Sequence, residues 1–391
     1  MTAPLENRTI ETVESLADIG EEAWGGLEGS RSSDADFNPF VSYAFLSALE
    51  DSRSAISETG WIGSHIVLKN EDGAVDGVMP AYLKLHSQGE YVFDHAWADA
   101  FERAGGRYYP KLQSSIPFTP ASAPKLLSAR RADKARVGAL LAHGGKAVAE
   151  KLNLSSAHIT FVDEAERSVL EDAGYMVRHD QQFHWANDGY DSFSAFEDAL
   201  ASRKRKQLRR ERREALENGI EIEWVTGSDL TEAHWDAFWV FYQDTGMRKW
   251  GRPYLTRSFF SLIGERLPDH TVLILAKRDG NYIAGALNFI GGDTIFGRHW
   301  GCTEHHRFLH FEVCYYQAID YAIQHGLSRV EAGAQGAHKL ARGYAPVVTT
   351  SMHYIPHEGF RRAVADYLEH EREQVLFDAD YLERRTPFKS G

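Results

Sequence analysis

Short apolar runs separated by turn residues recur at two places along the chain. Residues 64–97 read SHIVLKNEDGAVDGVMPAYLKLHSQGEYVFDHAW, and residues 271–300 read TVLILAKRDGNYIAGALNFIGGDTIFGRHW. Each begins with an apolar segment and an Asp-Gly pair. A glycine-containing apolar segment, a second glycine turn, an aromatic segment and a tryptophan follow. Asp72-Gly73 and Asp279-Gly280 sit between alternating runs, which is a strong hairpin signal. The second turns carry Gly89 and Gly291-Gly292. The pattern predicts a three-stranded antiparallel meander in each half, and the shared order points to duplication.

In the second half the apolar period then changes. Phe311, Cys314, Tyr315, Ala318, Ile319, Ala322 and Ile323 recur at helical spacing, and Gly326 supplies a stop. LSRVEAG follows as a short strand, expected parallel to the one ending at Trp300. Helices are predicted over 232–244 and 254–266. This succession is the central unit of an acetyltransferase-type fold. The first half is less regular. A loop rich in proline and aromatics (residues 98–124) precedes a helix over about 132–152 and the strand HITFV. The pattern changes near 185–195, which divides the chain into domains 1–188 and 189–391. The final YLERRTPFKSG reads as a loose tail.

Composition supports two cores, with 43% hydrophobic residues in 391. A net charge of −13 argues against a general nucleic-acid binder. Against that background Arg203–Arg213, RKRKQLRRERR, is a local cation on a helix ending near Gly219. It reads either as a solvated face with glutamate partners or as a phosphate site for coenzyme A, a tRNA end or a lipid head group. The two cysteines, Cys302 and Cys314, form no CxxC pair, so neither a disulfide framework nor a zinc site is expected. The N-terminal residues lack the basic and apolar regions of a signal peptide, and no run reaches the ~20 apolar residues of a membrane span. A cytoplasmic protein is expected, with possible peripheral contact at the inner membrane.

NPFVSYAFLSALE, FDHAWADAFERAGGRYYPKLQSSIPFTP, SRKRKQLRRERREALENGI, GRHWGC, LHFEVCYYQAIDYAIQHGL and EAGAQGAHKLARGYAP together resemble the FemAB-like group of N-acyltransferases, from about Asn38 to about Arg372. The resemblance implies an α/β protein with two tandem GNAT-like acyl-CoA N-acyltransferase domains, each a mixed, mostly antiparallel sheet flanked by helices. Fem-type enzymes move an amino acid from aminoacyl-tRNA to a cell-wall precursor. Bacterial ceramide synthases, which join a fatty acyl group to a sphingoid amine, look similar. All are acyl transfers to an amine.

Such a transfer needs a base for the attacking ammonium and donors for the developing oxyanion. Three clusters supply polar groups where the sheet is expected to splay. Arg298, His299 and Trp300 end the third strand, and alternation puts Arg298 and Trp300 on one face and His299 on the other. His310 and Glu312 open the next helix, with Tyr316 sharing the face of Glu312, opposite the apolar stripe. Glu331, Gln335, His338, Lys339 and Arg342 follow the next strand, in a glycine-rich segment suited to an anion or carbonyl. His310, Glu312 and His338 are the candidate bases, and the others candidate substrate or cofactor contacts. His299 and Glu312 also suit purely structural roles. The usual glycine-rich pyrophosphate loop is absent, since the corresponding segment reads CTEHHRFLHFE. Arg307 or the 203–213 helix could replace it.

In the first half His95, Tyr108 and Lys111 stand in a polar, aromatic stretch suited to binding the acceptor at a domain interface. No metal and no tightly bound cofactor are expected. The reading favoured by the residues is transfer from acyl-CoA, as co-substrate, to a small-molecule or lipid amine, an activity within lipid metabolism. Aminoacyl-tRNA-dependent transfer ranks below it, and a non-catalytic ligand-binding protein on a degenerate GNAT fold is the third reading.

Overall fold

A computed structural model describes residues 8–250, 253–333 and 336–389, with the side chains of Lys249, Trp250 and Ala337 outside the description. The chain folds into two compact units. The first comprises the residues up to Asp180 together with Val348–Leu376, and the second comprises Gln181–Val347 together with the residues from Phe377 onward. The sequence pattern places one cut at 188/189. In the structure the chain also returns to the first unit for residues 348–376, a non-local exchange that leaves no local mark in a sequence.

In the first unit, β1 (Thr9–Val13), β3 (His65–Lys69), β4 (Val75–Met79) and β7 (Leu127–Ser128) form an antiparallel sheet. A second group pairs β2 (Trp61–Gly63), β5 (Tyr82–Lys84), β6 (Lys111–Ser114), β8 (Ala157–Val162) and the later part of β15 (Ala345–Tyr354). The β6–β8 pair is parallel, and helix 134–151 packs Val137, Leu140 and Leu141 into the core with Ile66, Leu68 and Ile159.

The expected third strand of the first meander is not a strand. Residues His95–Arg103 are helical, and the closing Trp97 lies on that helix. Trp97 and Phe101 stand one helical turn apart and pack in one small core with Tyr108 and Phe360. Pro80, which lacks an N–H for a ladder, separates β4 from β5, and these strands belong to different sheets.

The second unit follows the pattern closely. The strands are β9 (Met176–Ala186, here its end), β10 (Ile220–Thr226), β11 (Thr271–Arg278), β12 (Asn281–Gly291), β13 (Thr294–Cys302) and β14 (Arg329–Glu331). They run in the order β10-β11-β12-β13-β14-β9, antiparallel except for the parallel β13–β14 pair. Val272, Ile274, Ala276 and Ile295 on one face pack with Val313, Ala318, Ile319 and Ala322 of the following helix.

On the other face helix 232–250 lies so close that a Cβ on Gly301 would meet the Phe241 carbonyl oxygen at 2.0 Å. Helix 257–266 packs on it through Phe260. The expected loose tail is partly ordered. Residues 358–383 form one helix, and Leu200 pairs with Phe388 in an isolated antiparallel bridge. Among the described residues no helix is long and apolar enough to cross a membrane.

Candidate active site

The candidate site begins with an irregularity in β13. Leu287 pairs with His299, but Asn288 pairs with Gly297, so Arg298 falls outside the register. Pairing with β14 stops at Phe296–Glu331, while β13 continues to Cys302. The two parallel strands therefore part where Arg298, His299 and Trp300 begin. His299 meets the Tyr242 ring at 5.0 Å, and that burial, with Arg298 beside it, holds its imidazole well below the usual range. Trp300 instead meets His310 edge-on at 5.2 Å.

The helix that follows is α-helical over Leu309–Phe311, a π-helix over Glu312–Tyr316 and α-helical again over Gln317–Gln324. Phe308 makes the turn before it with φ 63°, without a glycine. The π-turn widens the helix and changes the phase of its faces. Glu312 and Tyr316, expected opposite the apolar stripe, are both buried. Glu312 accepts from Gln317 Nε2 at 2.7 Å, a contact between residues five positions apart.

Both also reach the basic helix, Ser202–Ala215. Arg212 donates to Glu312 from Nε at 3.1 Å and from Nη2 at 2.9 Å. One residue earlier, buried Glu211 accepts from Tyr316 Oη at 2.6 Å and from Arg342 Nη2 at 2.9 Å. The inner face of this helix is thus a clamp of alternating charge. Its outer face mixes paired and unpaired cations. Arg205 and Arg209 meet Asp198 and Glu197. Arg203, Lys206 and Arg213 have no carboxylate partner among the described residues.

The glycine-rich segment wraps the same centre. Gly333, Gly336 and Gly343 take φ values of 77°, 119° and 92°, conformations that other residues adopt only with strain. They turn the chain into a short helix, Ala337–Arg342, that presents three site residues. Gln335 lies outside the described residues. His338 is exposed, and its Nε2 shares a hydrogen bond with Tyr315 Oη at 2.9 Å. Partial burial, Arg342 and Lys339 lower its pKa.

Lys339 is buried and donates to the carbonyls of Ala332 at 2.6 Å and Gly333 at 2.7 Å. Burial brings its ammonium down to about 8. Arg342 lies 3.4 Å over the Phe311 ring. The cations of this loop are therefore engaged within the protein rather than held out as an anion cradle.

Glu331 is buried beside His184 and Arg329, and burial raises its carboxyl to about 7. A cavity of about 310 Å³ opens next to this centre. Trp300 and His310 line it together with Arg248, Cys302, His305 and His306. It offers a guanidinium and imidazole N–H groups to a phosphate and an indole to an acyl chain.

Glu211, Arg212, Arg248 and His305 are not singled out by the sequence pattern. The first two sit inside the basic run, where a glutamate resembles an ordinary surface partner. Arg307, the expected substitute for the glycine loop, is exposed and pairs with Glu214.

The candidates of the first unit do not converge. Tyr108 and Lys111 are fully buried and meet on Asp94 Oδ2, each at 2.6 Å. Lys111 also donates to Glu90 at 2.7 Å. His95 is exposed, stacked 6.2 Å from Phe93. Tyr108 and Lys111 thus belong to a buried ionic network that His95 does not join.

Solved structures with this fold include FemX, at 14% identity over 91% of this chain and 100% of that one, with a TM-score of 0.53. The C-terminal domain of a putative lysylphosphatidylglycerol synthetase from Agrobacterium fabrum matches at 12% identity over 91% and 97%, with a TM-score of 0.52. No curated protein matches the sequence. The shared fold is that of two GNAT-like domains in tandem, and family and fold support a transferase. The family model described as peptidoglycan biosynthesis/recognition, FemAB-like, matches residues 15–390, and the chain belongs to that family.

Proposed function

We propose that the second unit transfers an acyl group to an amine, with the donor seated in the cavity beside Trp300 and His310. One observation carries this reading. A chain of ring contacts runs from the open cavity to the glycine-rich loop: Trp300–His310 at 5.2 Å, His310–Tyr315 at 5.3 Å and Tyr315–His338 at 5.6 Å. It joins a place for a donor to the segment that follows β14.

The preferred donor is an acyl-CoA and the preferred acceptor a lipid or other small amine. Support for a phosphate-bearing donor comes from Arg248, His305 and His306, which line the cavity with Glu304, although Arg248 also pairs with Asp244 and His306 with Glu304. Glu312, held by Arg212 and Gln317, is a positioning residue in this reading. Native mass spectrometry against acyl-CoAs from two to eighteen carbons tests it. Binding that strengthens with chain length and weakens at least ~10-fold in Trp300→Ala supports it. Equal binding by both proteins rules the cavity out as the donor site.

A second reading, an aminoacyl-tRNA donor, is favoured by the unpaired Arg203, Lys206 and Arg213 on the outer face of the basic helix. The resemblance to FemX gives no ground for ranking it lower. Transfer that disappears after ribonuclease treatment and falls steeply with salt would establish it.

A further inference from the structure

We propose that Glu331 is the proton acceptor for the attacking amine, a deduction that rests on the acyl-transfer reading above. Glu331 is the last residue of β14 and the last paired position before β13 and β14 part. It stands at the opening of the splay, 4% exposed.

Its two oxygens differ. Oε1 faces Arg329 Nε at 3.5 Å and His184 Nδ1 at 3.8 Å. Oε2 is buried without a hydrogen-bond partner among the described residues. An unpartnered buried acceptor is costly, and such groups persist where a ligand supplies the missing donor. An ammonium N–H is such a donor.

The surroundings keep this oxygen available. Lys339 spends its hydrogen bonds on the carbonyls of Ala332 and Gly333, just past Glu331, and so holds the backbone of the splay instead of the carboxylate. Burial disfavours the charged form, and Asp293 adds to the effect. Arg329 and Arg298, the latter displaced from the β13 register, oppose them. His184 is kept neutral by burial, with Arg329 and Lys339 acting in the same direction. The balance leaves a carboxyl that titrates near neutrality, where a base is most effective.

The step balances. Glu331 Oε2 takes one proton from R–NH3+, and the freed nitrogen lone pair forms the C–N bond at the acyl carbon. The C–S bond breaks with its electron pair on sulfur, which collects the second nitrogen proton to leave as the thiol. Glu331 returns its proton to water.

The test compares wild type, Glu331→Gln and Glu331→Asp with palmitoyl-CoA and sphinganine, at pH 6 and pH 8. Donor binding is followed by native mass spectrometry. The glutamine variant is expected to bind palmitoyl-CoA within twofold of wild type, to lose at least ~100-fold in kcat and to lose the rise in rate from pH 6 to 8. The aspartate variant should regain part of the rate. Glutamine turnover within fivefold of an active wild type overturns the assignment and leaves acyl transfer standing. A wild type that binds the donor without turnover at either pH overturns both.

Discussion

Arg212 and Glu312 form a two-point ion pair across 100 residues of sequence, with Glu312 fully buried. The arginine comes from the helix that reads as a surface cation, the glutamate from the helix that opens the site. Removing one partner leaves the other charge buried. Arg212→Ala is expected to cost about 3–5 kcal/mol in urea unfolding. Arg212→Met with Glu312→Leu should cost clearly less than the sum of the single changes. Additive losses would show that the two side chains do not act as a pair.

Tyr316 bears on the neighbouring link. Its hydroxyl donates to Glu211, which also holds Arg342. Tyr316→Phe removes one charge-assisted bond and keeps the ring, for an expected loss of about 1–3 kcal/mol. A melting temperature unchanged from wild type would place Glu211 outside the clamp.

The ionic network of the first unit gives a pH signature. Lys84 lies 3.5 Å over the Trp61 ring, with Glu90, Asp94, Lys111 and His86 around it, and burial lowers its ammonium to about 7. A lowered lysine is deprotonated in the folded state while the unfolded chain still holds the proton. Stability from this group is therefore lost as pH falls toward 7 and recovered toward 10.5. Relative to Lys84→Met, wild type should gain about 3 kcal/mol between pH 7 and 9.5. Parallel stability curves for the two proteins would contradict this.

Glu331 has the opposite sign. Its carboxyl, raised to about 7 from 4.5, keeps its proton in the folded state over that interval. The stability it contributes is full below 4.5 and is lost as pH rises through 7. Glu331→Gln should therefore gain on wild type by up to about 3 kcal/mol from pH 5 to 8 in chemical denaturation. A difference independent of pH would mean that Glu331 ionises normally.

The second unit is legible in the sequence because its signals are local. Asp279-Gly280, the alternating strands and the stop at Gly326 each act over a few residues, and Gly333, Gly336 and Gly343 mark backbone that other residues resist. The first meander misleads because Trp97, which closes an aromatic run in the sequence, shares a helix face with Phe101 in the structure. The clamp is not legible. Glu211 and Arg212 differ from their neighbours only in which side of the helix is buried, and that side is set by partners 100 or more positions away. The π-turn likewise leaves no mark, so the regular helical period assigns Glu312 and Tyr316 to the wrong face.

The most direct test of acyl transfer in the second unit is detection of the product. Purified protein is incubated with 13C-labelled palmitoyl-CoA and sphinganine, and the labelled amide is measured by mass spectrometry in wild type, Trp300→Ala and Glu331→Gln. Amide should form with the wild type and fall at least ~10-fold in each variant. Absence of amide from the wild type, or equal amounts from all three proteins, would contradict acyl transfer at this site.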